Sequence, residues 1–128
     1  MKWILDTNIW IYLFQGREEL RPLKSRIYDQ EIIPVLVPVV FAEVLGWNEI
    51  PEAQEIHIRE YFSMLEMIVL RMEHWEQVIS WRQSGIKRKL PDLLIGSQSK
   101  LEDIPVFTRN VNDFSRLGIS FEDPWEEH

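Results

Sequence analysis

Four acidic residues stand where a hard cation could be held. Asp6 follows the apolar segment Lys2-Trp3-Ile4-Leu5. Glu43 lies in Phe41-Ala42-Glu43-Val44, and on a helix its neighbours three and four positions away are Val39, Val40, Gly46 and Trp47. Asp92 follows Pro91 in Leu90-Pro91-Asp92-Leu93-Leu94-Ile95, and Asp113 closes Thr108-Arg109-Asn110-Val111-Asn112-Asp113. Each has an ordinary explanation when taken alone. Asp6 suits a helix N-cap, Asp92 suits the positive end of a helix dipole, and Asp113 suits a turn beside Asn110 and Asn112. Glu43 is the awkward one. Its helical face is apolar, so it is expected to face the core or a cleft, where an unpaired carboxylate is costly and needs a cation, an arginine or a proton. Taken together, the four suggest oxygen ligands without His or Cys, which suit Mg²⁺ or Mn²⁺. Several ionised carboxylates cannot share a cleft without a countercharge.

The elements that would position these acids alternate between strand and helix. Lys2 to Asp6 reads as a strand, Thr7 to Phe14 as a helix ended by Gly16, and Glu18 to about Gln30 as a polar helix. Ile32 to Val37 is a continuous β-branched run, as in a strand buried on both faces. Pro38 opens a helix to about Trp47, and Pro51 to Glu66 forms another. Met67 to Leu70 reads as a strand. Glu73 to Ser84 follows as an amphipathic helix with Trp75, Val78, Ile79 and Arg82 at helical spacing. Pro91 to Leu101 is a helix, Ile104 to Thr108 a strand, Asn110 to Arg116 a short helix and Ile119 to Phe121 a last strand. This alternation predicts an α/β fold with a mostly parallel sheet. Ligands of such sheets sit beyond the carboxyl ends of the strands, and the four acids fall near those ends.

Composition bounds the rest. The 128 residues, 45% of them hydrophobic, suit a single domain spanning 1–128 with an ordinary core. There is no cysteine, which excludes disulfides, thiolate metal sites and a cysteine nucleophile. His57, His74 and His128 have no ligand spacing. The longest apolar run, Ile32 to Ala42, is broken by two prolines and is too short to span a bilayer. The N-terminus lacks signal-peptide features, so no membrane association and a soluble, cytoplasmic protein are expected. The net charge of −7 argues at first against nucleic acid. Setting aside four metal-site carboxylates leaves 14 basic against 17 acidic residues. Glu122, Asp123, Glu126 and Glu127 crowd the tail, so the remaining surface is close to neutral. Of the six tryptophans, Trp3, Trp47 and Trp75 sit in apolar patterns and are expected in the core.

The segments Leu5-Asp6-Thr7-Asn8, Phe41-Ala42-Glu43-Val44, Leu90 to Ile95 and Thr108 to Phe114 resemble the four motifs of PIN-domain ribonucleases. The likeness is closest to the VapC-type toxins of bacterial toxin–antitoxin pairs. It covers almost the whole chain in order, including Phe121-Glu122-Asp123-Pro124-Trp125, which resembles the family's last strand. It implies an α/β/α sandwich, Mg²⁺ or Mn²⁺ as cofactor and an acidic triad of Asp6, Glu43 and Asp92. Asp113 is the candidate fourth acid, with Asn110 as an outer hydrogen-bonding group and Thr7, Asn8 and Thr108 bordering the site. It further implies an RNA substrate, a homodimer and a small protein antitoxin. Gly96-Ser97-Gln98-Ser99 departs from the alanine-rich helix common in the family and lowers local helix propensity.

Hydrolysis of an RNA phosphodiester by a metal-activated water is the expected chemistry. Lys87, Arg88 and Lys89, with Arg82 upstream and Arg109 after the third motif segment, could hold phosphates; a solvated loop is the alternative. Other classes remain open. A receiver-type phosphotransfer domain needs paired acids after its first strand and a late lysine. A dehalogenase-type phosphatase needs an acid where Asn8 stands. A PIN-like nuclease outside a toxin–antitoxin pair, a nuclease acting on DNA, and a non-catalytic RNA-binding module of the same fold are further alternatives.

Overall fold

Strand β1 (Lys2–Leu5) lies inside a four-stranded sheet of order β2-β1-β3-β4, with β2 spanning Ile33–Val35, β3 Val106–Phe107 and β4 Phe121–Glu122. All pairings are parallel, with Ile4 opposite both Val35 and Val106, and Val106 opposite Phe121. The computed structural model describes residues 1–126; Glu127 of the acidic tail and His128 lie outside the described residues.

Helices α1 (Thr7–Phe14), α2 (Arg21–Tyr28), α3 (Pro38–Leu45), α4 (Glu52–Ser63), α5 (Met72–Gln83), α6 (Leu90–Glu102) and α7 (Val111–Phe114) flank the sheet. The result is the α/β/α sandwich expected from the alternating pattern. A 3₁₀ turn, Glu18–Leu20, precedes α2 and replaces the first turn of the longer helix expected there. Packing runs from α1 to α3, from α3 to α6 and from α5 to α6. Prolines open α2, α3 and α6 within their first two positions, where a missing N–H costs no helical bond.

Because the sheet is parallel, every strand delivers its carboxyl end to one edge. Ile4, Leu5 and Ile9 around Asp6 are fully buried. Each contributes roughly 1.5–3 kcal/mol, enough to offset the cost of placing a hydrogen-bonded carboxylate among them.

Two expectations are corrected. Met67 to Leu70 is not a strand; Met67 makes only an isolated bridge to Leu36. Leu36 N–H donates to Glu66 O, and Ile68 N–H donates to Leu36 O. Pairing ends there because Val37 caps α3 and Pro38 turns the chain into that helix. On α5 the buried positions are His74, Val78 and Trp81, while Trp75 (37% exposed) and Ile79 (45%) face outward. His74 is buried because its polar atoms are satisfied. Its Nδ1 accepts the Arg71 N–H at 2.9 Å, which leaves the proton on Nε2, 3.1 Å from Glu102 Oε1. Trp3 is half-buried and stacks on Phe107 with centroids 3.8 Å apart.

The Gly-Ser-Gln-Ser segment of α6 also has a packing reason. A Cβ on Gly96 would come within 2.6 Å of Leu117 Cδ1 and 3.4 Å of the Trp81 ring. Ser97 donates to Leu94 O, Gln98 Nε2 to Ile68 O and Ser99 to Ile104 O. The low propensity of this segment is offset by close approach and by tethers to neighbouring segments.

Candidate active site

Asp6 terminates β1 and caps α1, so the helix-cap and cluster readings hold together. Its Oδ1 accepts the Thr7 N–H at 2.8 Å, and its Oδ2 accepts the Thr108 hydroxyl at 2.9 Å. Thr108 is fully buried at the end of β3, and its hydroxyl also accepts the Asn110 N–H at 2.9 Å. One threonine thus orients Asp6 and starts the turn that leads to Asp113. The Thr7 hydroxyl donates to Glu43 Oε1 at 2.7 Å, joining α1 to α3. Asn8 is exposed one residue further on, and Asn110 is exposed at the start of α7 without a side-chain cap bond.

Glu43 is not where its apolar neighbours suggested. Val40 and Val44 turn into the core, whereas Glu43 is exposed. Its membership of the cluster comes from Thr7 and from its charge, not from forced burial. Asp92 is half-buried in the first turn of α6, and Asp113 is half-buried in α7.

Electrostatics brings the four together. Burial raises the Asp6 carboxyl above its usual range; the Thr108 and Thr7 hydrogen bonds oppose this, and the charges of Glu43 and Asp113 add to it. Asp92 is pushed up to about 6, first by burial and then by Asp113, Asp6 and Glu43, while Lys89 opposes the shift. Asp113 is the strongest charge acting on Asp92, which favours it over Asn110 as the fourth member. Among the described residues, no three acids close into a ready-made ligand cage. An open set of carboxylates suits an ion that keeps waters and shares a substrate phosphate. The all-oxygen donors and their mutual repulsion fit a hard divalent cation.

The basic residues separate into two groups. Lys87 and Lys89 are exposed in the loop before α6. Arg82, exposed in the last turn of α5, is not among the charges acting on Asp6 or Asp92. Arg88 and Arg109 have intramolecular partners. Arg88 donates to the carbonyls of Asn112 and Lys87. The Arg109 guanidinium lies 4.2 Å from the Trp125 ring centroid and 3.8 Å from Asp123. Arg17 lies 4.9 Å from the same ring centroid, and Tyr12 meets the ring edge-on. The tail after β4 is thereby strapped to α1 and to the end of β3, a contact between distant residues that no local pattern announces.

Thr108→Val tests the central tether. It keeps the shape but removes both the donor to Asp6 and the acceptor for Asn110. It is expected to destabilise the metal-free protein by about 1–3 kcal/mol in urea unfolding. Wild-type stability in the variant would show that these bonds do not hold the site.

The chain is an α/β sandwich with acids placed at the carboxyl edge of its sheet, where such folds hold their ligands. The PIN-domain model matches residues 3–119, and the chain belongs to that family of nucleases. Solved structures of similar fold include a toxin–antitoxin complex from Klebsiella pneumoniae, 29% identical over 97% of this chain and 98% of that chain, TM-score 0.77. VapBC2 from Rickettsia felis bound to a promoter DNA fragment is 22% identical over 95% and 98%, TM-score 0.75. DNA-bound VapBC from Salmonella typhimurium is 20% identical over 97% and 98%, TM-score 0.75. No curated protein sequence matches the chain.

Proposed function

We propose that this PIN domain is a Mg²⁺- or Mn²⁺-dependent endoribonuclease, the toxin of a toxin–antitoxin pair. The observation that carries the reading is the gathering of Asp6, Glu43, Asp92 and Asp113 on one sheet edge, where burial first and then the charges of the other three acids push Asp92 up to about 6. Asp6 and Asp92 would hold the ion, with Asp113 contributing directly or through water. When bound, the ion supplies Lewis acidity toward a phosphodiester and toward water. The protein's own part is orientation and charge. Thr108 and the Thr7 amide aim Asp6, and the Thr7 hydroxyl occupies Glu43 Oε1, leaving Oε2 to align water or accept its proton. Lys87 and Lys89 would steer phosphates toward the acids. Nothing in this arrangement requires the ribose 2′-OH, so products are expected to carry a 5′ phosphate.

The neighbours described as toxin–antitoxin complexes support an antitoxin partner. An apolar groove of about 760 Å³, lined by Trp10, Phe14, Ile27, Tyr28, Ile33 and Tyr61, is the surface on offer to it. Met72, Trp75 and Ile79 form an exposed apolar strip on α5 that suits a homodimer contact. Among the described residues no helix is long and apolar enough to cross a membrane.

The test is cleavage of a defined single-stranded RNA and of the matching DNA, with Mg²⁺ or Mn²⁺ and with EDTA. RNA fragments bearing 5′ phosphates, lost in EDTA, are the expected result. Metal-independent cleavage, or cleavage of DNA alone, would overturn the assignment.

A further inference from the structure

The loop that opens α6 carries an arginine whose geometry differs from that of the lysines beside it. Lys87 and Lys89 are exposed, whereas Arg88 is half-buried. Its Nη2 donates to Asn112 O at 3.1 Å and its Nη1 to Lys87 O at 3.2 Å. Its Nε is buried. Two of its nitrogens are thus engaged by backbone carbonyls, one of them on α7, and are less free to meet a phosphate than the ammonium groups beside them. Asn112 immediately precedes Asp113, and Arg88 precedes Asp92 by four residues. One side chain thus joins the two segments that present these two acids.

Such a tie is needed for two reasons. Helix α7 has only four residues and no side-chain cap, and a single isolated turn is unstable in water. Asp92 and Asp113 are also both half-buried acids, so the two segments that Arg88 joins carry like charge. A planar guanidinium can serve two carbonyls from one rigid fork, which a lysine ammonium on a flexible stem cannot reproduce.

We propose that Arg88 is a positioning residue that ties α7 to the start of α6 and sets the spacing of Asp92 and Asp113 before a cation enters. This rests on the metal-site reading given above. It replaces the expectation that Arg88 contacts RNA phosphates.

The experiment compares Arg88→Ala, Arg88→Lys and Arg88→Gln with Lys87→Ala. Three quantities are read: Mn²⁺ affinity by titration calorimetry, the salt dependence of RNA binding in EDTA, and amide exchange over residues 110–114. Arg88→Ala is expected to weaken Mn²⁺ binding by roughly 10-fold or more, to speed exchange in α7 and to leave the salt slope unchanged. Arg88→Gln, which keeps one amide donor, should recover part of both losses, and it serves if the alanine variant folds poorly. Lys87→Ala should do the reverse, lowering the salt slope by about one charge without touching Mn²⁺ affinity. Wild-type Mn²⁺ affinity and α7 exchange in Arg88→Ala, with a reduced salt slope, would overturn the proposal. If the wild-type chain binds no Mn²⁺ yet exchange in α7 still rises in Arg88→Ala, the metal reading fails while the tie itself stands.

Discussion

Asp6→Asn and Asp92→Asn are each expected to lower metal-dependent RNA cleavage by roughly 10³-fold, because each removes a charged ligand worth several kcal/mol in the transition state. The fold should survive both changes. An asparagine at position 6 can still accept the Thr7 N–H, and the Thr108 hydroxyl, now a donor to Asp6 Oδ2, can rotate to accept from the new amide. Asp92 is only half-buried, so its replacement leaves no cavity. Asp113→Asn should cost less, and Glu43→Gln least, because Glu43 is exposed and its Thr7 hydrogen bond survives as a neutral one. The measurement is single-turnover cleavage with Mg²⁺, beside far-UV circular dichroism to confirm folding. Full activity in either folded Asp6→Asn or Asp92→Asn would remove that residue from the reaction.

The second large effect is on stability, and its sign is opposite to that of most substitutions. The Asp92 carboxyl titrates at about 6 in the native state against 3.8 as its reference value. Between these values the native state holds a proton that the unfolded chain has released. Its contribution is therefore fully present below about pH 4 and is lost as pH rises through about 6. Asp92 is only half-buried, so solvent screening reduces the effect to about 1 kcal/mol, or roughly 4 °C in Tm for a chain of this size. Metal-free Asp92→Asn should accordingly melt above the metal-free wild type at pH 7.5 and match it more closely at pH 5. Mn²⁺ should raise the wild-type Tm more at pH 7.5 than at pH 5, since ion and proton compete for the same carboxylates. Differential scanning calorimetry in EDTA and in Mn²⁺ checks both statements. An Asp92→Asn protein that melts below wild type at pH 7.5 would mean that the cluster is not strained.

These two predictions pull apart what a destabilised site gains and loses. In the proposed reading, the burial and repulsion that lower metal-free stability are what a bound cation would offset. A variant that gains stability by relieving them is expected to lose the ability to bind the ion. Thr108, Thr7 and Arg88 keep the acids close in spite of that repulsion, through hydrogen bonds that do not neutralise them.

Much of this was legible in the chain itself. Helix α1 could be read to its last residue because Asp6 and Gly16 bracket one apolar run. The parallel sheet followed from β-branched segments alternating with helices, and a parallel sheet dictates that acids after its strands share an edge. Patterns failed where the partner was distant. The Met67 to Leu70 segment has strand composition, but Pro38 removes the chain it would have paired with. Trp75 and Ile79 are apolar yet exposed, and His74 is polar yet buried, because hydrogen bonds to Arg71 and Glu102 satisfy its ring.

Asp6, Glu43 and Asp92 show the same division. Their residue types, and their places after strands or on the helices that follow, mark them as candidate oxygen ligands near one sheet edge; that much is local, since periodicity and caps depend on neighbours a few residues away. Only the tertiary structure decided that Glu43 is exposed and held by Thr7, that Asp113 acts on Asp92, and that Arg88 faces α7 while Arg109 stacks on Trp125. These contacts join residues 16 to 36 positions apart, and Thr108 reaches Asp6 across 102. Distances of that kind are set by how layers pack, and no short-range pattern encodes them.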